Sequence, residues 1–192
     1  MKLIFASGNK HKLQELQSKL PSHIQLVSMR DEGFSGEIEE PGKTLEENAR
    51  IKAKFIFERF GENCLADDSG IEIEALNGEP GVYSARYAGE NCSFLDNNLK
   101  VLKNLKGVHN RRARFRTVIH LFLEGKEYFF EGSIDGDITA SIKGADGFGY
   151  DPIFRPRGKK ETFAQMTLDE KNQISHRALA VEDLIQFLST FE

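Results

Sequence analysis

Tryptophan is missing from this 192-residue chain, and cysteine occurs only twice. The first absence bears on core packing, where 15 phenylalanines supply the aromatic volume. The two cysteines, Cys64 and Cys92, lack any metal-type spacing, so reduced thiols in a cytoplasmic setting are expected. Positive charge is not in excess: 26 Lys and Arg face 30 Asp and Glu, a net charge of −4. Such a chain has no global field to attract a nucleic-acid polymer. No run of about 18 apolar residues exists, so no membrane span is expected. The apolar run between Met1 and Gly8 is too short for a signal peptide. Internal repeats and low-complexity segments are absent too. The remainder, 39% hydrophobic and 29% charged, is ordinary for a soluble globular protein. Its length suits one domain, residues 1–192, or two lobes sharing one sheet, with enough chain to bury a core without staples.

The most informative stretch is Cys64-Leu-Ala-Asp-Asp-Ser-Gly-Ile-Glu-Ile-Glu74. The apolar run Cys64 to Ala66 suits a buried strand, and Ile71 to Glu74 alternates like a half-buried one. Ser69-Gly70 between them reads as a sharp turn. Side chains alternate along extended chain, so Asp67 and Asp68 should point to opposite faces. One can then face a cleft while the other braces the backbone. A carboxylate at a strand end suits a hard cation such as Mg2+. The same fragment also reads as a plain acidic turn.

Lys2 to Ala6 reads as a first buried strand. Ser7-Gly-Asn-Lys-His-Lys12 follows, and Leu13, Leu16 and Leu20 then recur at helical spacing up to Pro21. A glycine-containing loop between strand and helix can hold phosphate on its free N–H groups and the helix N-terminus. It can equally be a helix cap by Ser7 or Asn9. It matches neither a Walker loop nor a dinucleotide fingerprint. Ile24 to Ser28 is a second strand. An acidic loop with Glu37, Glu39 and Glu40 precedes a helix that Thr44 and Glu47 can cap together. Ala49, Ala53, Ile56 and Phe60 form that helix's apolar face, while Lys52 and Lys54 lie elsewhere around it; either could reach a phosphate site, but the sequence alone favours solvated lysines.

Further on, Ser93 caps a helix through Leu95, Leu99, Leu102 and Leu105. Arg112, Arg114 and Arg116 alternate with Ala113 and Phe115, the pattern of an amphipathic strand rather than an RNA-binding tract. The turn Glu124-Gly-Lys126 makes a hairpin, whose second arm is expected to extend through Ile138 to Ile142. Three glycines around Phe148 allow close approach to a ligand, and Phe148 and Tyr150 can stack on a base. Thr167 to Lys171 reads as one helical turn. Ser175 then caps a last helix, in which His176 and Arg177 place positive charge at the N-terminal end. This opposes the helix dipole unless an anion or carboxylate meets it.

Taken together, these stretches resemble the inosine triphosphate pyrophosphatase family, the hydrolases that remove deaminated purine nucleoside triphosphates. The likeness rests on Ser7-Gly-Asn-Lys-His-Lys12, Glu39-Glu-Pro-Gly-Lys-Thr-Leu-Glu-Glu-Asn-Ala49, Ala66-Asp-Asp-Ser-Gly70, Pro80 to Gly89, Gly147-Phe-Gly-Tyr-Asp-Pro-Ile-Phe154, Glu170-Lys-Asn172 and Ser175-His-Arg177, in that order. Ser7 stands where the family usually has Thr. The resemblance implies an α/β fold: a long mixed β-sheet with flanking helices, forming two lobes around a central cleft. It also implies a homodimer and an Mg2+-dependent conversion of ITP, dITP or XTP to the monophosphate and pyrophosphate. Asp68 would be the proton acceptor and a metal ligand. Glu39 aligns with the second metal ligand, with Glu40 one residue away as the alternative. Ser7, Gly8, Asn9, Lys10, His11 and Lys12 would hold the triphosphate, and Ser69 would touch substrate. Phe148, Gly149, Tyr150, Asp151, Lys171, His176 and Arg177 would build the base and phosphate pocket. Two other readings compete: a pyrophosphatase for modified pyrimidine nucleotides, and a nucleotide-binding protein without hydrolysis.

Overall fold

The computed structural model describes residues 1–191. Six strands, β1 (Lys2–Phe5), β2 (Gln25–Ser28), β3 (Cys64–Ile73), β4 (Arg112–Leu123), β5 (Lys126–Ile138) and β6 (Phe154–Pro156), form one sheet in the order β2-β1-β3-β4-β5-β6. β1 pairs in parallel with β2 and β3, and β5 pairs antiparallel with β6, so the sheet is mixed. The helices are α1 (Lys10–Lys19), α2 (Leu45–Phe60), α3 (Phe94–Asn104), α4 (Leu168–Asn172) and α5 (His176–Leu188). The α/β class expected from the sequence is the one observed.

The chain divides into two compact units. One contains residues up to Asp68, Thr117–Gly132 and the segment from Arg177; the other contains Ser69–Arg116 and Ser133–His176. In the first unit, period-two alternation sorts the sheet's side chains. Leu3 and Phe5 of β1 and Leu65 of β3 pack with Leu16 of α1 and with Val181 and Leu184 of α5. Ile4 of β1, Ala6 just after it, and Cys64 and Ala66 of β3 pack with Ala53 and Ile56 of α2. Both faces are covered, which is why the strands here are continuously apolar. The same alternation, carried two residues further along β3, directs Asp67 towards α1 and α5 and Asp68 towards α2.

The second unit is built around Phe115 of β4. Its ring meets Phe154 edge-on at 4.7 Å and lies flat against the His176 imidazole at 4.5 Å. Ile71 and Ile73 of β3, Val101 of α3, Ile153 and Phe163 complete this core.

Local chemistry accounts for the element ends. Asn9 caps α1, its side-chain oxygen accepting from the N–H groups of His11 and Lys12. Thr44 caps α2, and Gly61 closes that helix in the left-handed region at φ 67°. Ser93 and Asp96 form a reciprocal capping box on α3. Glu124 and Gly125, at φ 51° and 76°, are the two positive-φ residues that a tight hairpin turn between β4 and β5 needs.

Two expectations are corrected. β5 ends at Ile138 and does not continue to Ile142. Ser69-Gly70 is not a turn: β3 runs unbroken from Cys64 to Ile73. Glycine is needed at position 70 for close approach instead. A Cβ there would collide with the backbone carbonyl of Gly81 and lie 3.2 Å from Ser84 Oγ. The Ser84 hydroxyl in turn accepts from the Ile71 N–H at 2.9 Å. Gly70→Ala is therefore expected to cost about 2–3 kcal/mol of stability through overpacking. Thermal unfolding checks this, and an unchanged melting temperature would show that the Gly81 segment moves aside freely.

Candidate active site

The loop Ser7 to Lys12 joins β1 to α1. Ser7 Oγ accepts from the Asn9 N–H at 3.2 Å, and Asn9 turns its own oxygen onto the helix start. Gly8, Lys10 and His11 are exposed. A hollow of about 300 Å3 lies beside this loop, lined by Ser7, Gly8, Asn9 and Lys10 together with Ser28 and Arg30. The Arg30 guanidinium packs so closely that a Cβ on Gly8 would come within 3.3 Å of it. Arg30 was not singled out in the sequence, because a lone arginine after a strand carries no local signal.

Lys12 turns the other way, into the protein. Its ammonium lies 3.1 Å from Asp67 Oδ1, and Arg177 Nε lies 3.2 Å from Oδ2. Arg177 also donates from Nη1 to the Glu15 carboxylate. Asp67 is wholly buried, Glu15 and Arg177 nearly so. Burial alone would raise the Asp67 carboxyl; Lys12 and Arg177 outweigh it and hold the group well below the usual carboxylate range. Burial lowers the Lys12 ammonium, with the neighbouring cations adding to the effect and Asp67 opposing it. The basic charge of Arg177 in the first turn of α5 is thus met by two carboxylates. Glu15 had gone unnoticed; its position directly before Leu16 on the buried stripe of α1 was the available signal.

On the opposite face of the strand, Asp68 meets α2. Lys52 Nζ is 3.5 Å from Asp68 Oδ1 and 2.8 Å from a Glu40 oxygen. Burial raises the Asp68 carboxyl, despite the pull of Lys52 and Lys12 in the other direction. Burial pulls the Lys52 ammonium down, but Asp68 and Glu40 leave it raised, so it stays charged. The expectation of a solvated Lys52 is corrected: it is 6% exposed. Lys52 lies on the same helical stripe as Asn48, Ala49 and Ile56, a spacing that encodes burial. Lys54 is the half-exposed one, beside Glu58 at i,i+4. Glu40, not the exposed Glu39, is the acidic-loop residue brought into this group. Asn48 explains the placement: its buried side-chain oxygen accepts from the Gly42 N–H at 2.8 Å and ties the loop to α2.

Other expected residues lie in the second unit. Asp151 Oδ2 accepts from Lys171 Nζ at 2.7 Å and from the Phe148 N–H at 2.9 Å. Gly147, at φ 75°, has no room for a Cβ against that carboxylate. The Lys171 ammonium also sits 4.8 Å from the centre of the half-buried Phe148 ring. The Tyr150 hydroxyl donates to the Ser84 carbonyl, and burial pushes its ionisation far up, so it is a neutral strut. Asn98 donates to the Gly149 carbonyl at 2.8 Å, fixing the glycine-rich turn to α3. His176 is buried against Phe115, and Ser69 is half-buried in β3.

The Ham1 family profile matches residues 3–187. A dITP/XTP pyrophosphatase of Flavobacterium johnsoniae is 50% identical over 189 residues, covering 98% of each chain. The chain belongs to the Ham1 family. Another such relative, from Porphyromonas gingivalis, is 48% identical and covers 97% of each chain. Among solved structures, the Ham1 protein of Staphylococcus aureus matches with a TM-score of 0.91 at 38% identity, over 100% of both chains. A dITP/XTP pyrophosphatase of Mycobacterium abscessus matches with a TM-score of 0.78 at 41% identity, over 96% of this chain and 99% of that one.

The two aspartates should differ sharply on substitution. Asp67→Asn leaves Lys12 and Arg177 short of a buried counter-charge and is expected to cost about 3–5 kcal/mol. The folded value of Asp67 lies below its unfolded one, so its contribution is whole above about pH 4 and shrinks as pH falls further. Urea midpoints at pH 7 and pH 3 test this: the gap between wild type and Asp67→Asn should narrow in acid. An equal gap at both values would remove the ion pairs as its cause.

Proposed function

We propose that this chain hydrolyses deaminated purine nucleoside triphosphates, of the ITP, dITP and XTP type, to the monophosphate and pyrophosphate. The observation that carries the reading is the separation of Asp67 and Asp68 onto opposite faces of β3. Asp67 is consumed in a buried ion network, whereas Asp68 is held beside Glu40 and a charged lysine. The names of the curated relatives supply the reaction class.

In this mechanism water attacks the α-phosphorus, the bond to the bridging oxygen towards the β-phosphorus breaks, and pyrophosphate leaves. Asp68 accepts the proton of the attacking water. The protein's further work is positioning and charge neutralisation. The Ser7 to Lys12 loop offers N–H groups and the exposed Lys10 ammonium to phosphate oxygens. Lys52, charged and close to Asp68, adds a second cation.

A divalent cation fits the donors present. Asp68 and Glu40 are hard oxygen ligands from two chain segments, already converging on one positive charge. Among the described residues no cluster of three or more His, Cys, Asp or Glu could cage a metal by itself. Mg2+ needs few protein oxygens, since it keeps water and phosphate in its shell. When bound, it would supply Lewis-acid polarisation of the phosphate oxygens.

For the base, Phe148 offers a ring face, and donors such as His176 and Lys171 suit the 6-oxo acceptor of hypoxanthine and xanthine. A 6-amino group would leave such donors unpaired, a penalty of about 1–3 kcal/mol.

Asp68→Asn should keep the fold and lower turnover of ITP by about 10²–10⁴-fold. Near wild-type turnover would remove Asp68 from the chemistry. Phosphorus NMR of the ITP reaction should show IMP and pyrophosphate; IDP with orthophosphate would refute attack at the α-phosphorus.

A further inference from the structure

A second hollow, of about 540 Å3, lies in the second unit and involves none of the residues of the candidate active site. Its walls are His109, Asn110, Arg111, Arg112, Asp137, Ile138 and Arg155. Strand alternation builds it. Ala113 and Phe115 of β4, Ile138 of β5 and Phe154 of β6 go into the core. The intervening Arg112, Asp137 and Arg155 therefore stand on the outer face. Asp137 and Arg155 are direct partners across the β5–β6 pair, with a carboxylate-to-guanidinium distance of 3.3 Å.

The charge in this hollow does not balance. Arg111 donates to three backbone carbonyls, those of Ile138, Thr139 and Leu105, at 2.6, 2.7 and 3.1 Å. Carbonyls fix the guanidinium in place without cancelling its charge. The Arg112 side chain is exposed and, among the described residues, has neither an ion-pair nor a hydrogen-bond partner; the same holds for the His109 ring. Asp137 is the one carboxylate on the walls, and its pair with Arg155 is nearly half exposed on both sides, where screening makes such pairs weak. Three arginines against one aspartate leave two positive charges in excess with His109 neutral, on a chain whose net charge is −4.

From this we propose that the hollow is an anion site that binds a small polyphosphate of the inorganic pyrophosphate class. Guanidinium forks match phosphate oxygens in pairs. An excess of two positive charges calls for more than a single carboxylate. No Phe, Tyr or Trp lines the walls; their only ring is the His109 imidazole, and the guanidinium groups dominate what they offer a ligand. The proposal rests on this geometry and not on the reaction assigned to the chain.

The test is a titration of the full 15N-labelled chain with sodium pyrophosphate at constant ionic strength, read on the arginine Nε–H resonances. Arg112 and Arg155 should shift along saturable curves. In Arg112→Gln the affinity read at Arg155 should fall about tenfold, the loss of a charge-assisted contact. The Asp68→Asn chain should give the wild-type curves at these two resonances, which separates this site from any other that takes pyrophosphate. Unmoved resonances, equal shifts with sulfate, or an Arg112→Gln curve that overlays wild type would each overturn the proposal.

Discussion

An aspartate sealed from water must be given its counter-charges by the fold, and Asp67 receives two, from Lys12 and Arg177. Much of the first unit is arranged to deliver them. α1 begins where Asn9 caps it, which sets Lys12 one turn along the helix and Glu15 just beyond. α5 begins at His176, which places Arg177 against both carboxylates. Two opposite pairs in a water-poor interior are tolerated only with this degree of partnering. With the neighbouring position locked, Asp68 is fixed on the other face, beside Lys52, which also meets Glu40.

The strand's period of two does the sorting. One residue of separation sends one carboxylate to a structural network and the next to Lys52 and Glu40. A slip of one residue in β3 would exchange their roles and would also put Leu65 where Cys64 and Ala66 now pack. Register and the placement of the two carboxylates are therefore enforced by the same apolar side chains.

Much of this was legible in the chain. Alternation foretold the divergence of Asp67 and Asp68, and the loop, helix and hairpin boundaries followed from Asn9, Thr44, Ser93 and the Glu124-Gly125 turn. The family likeness came from seven ordered stretches, and the fold class with it. What failed to show did so for physical reasons. Gly70 and a turn glycine look alike in sequence, because the Gly81 carbonyl that excludes a Cβ is eleven residues away. Lys52 looked solvated because a lysine's charge masks its place on a buried helical stripe. The choice between Glu39 and Glu40 depended on Asn48 holding Gly42, a contact no local pattern announces.

Residues 12, 15, 67 and 177 are far apart along the chain, and this orders events during synthesis. Until the ribosome has added Arg177, a nascent chain carries Glu15 and Asp67 with Lys12 as the nearest available cation. Withdrawing both acids from water at that stage would leave one negative charge without its partner. Arg177 follows most of the second unit's sequence, so the first unit's ion network has all its members only once the last helix has been made.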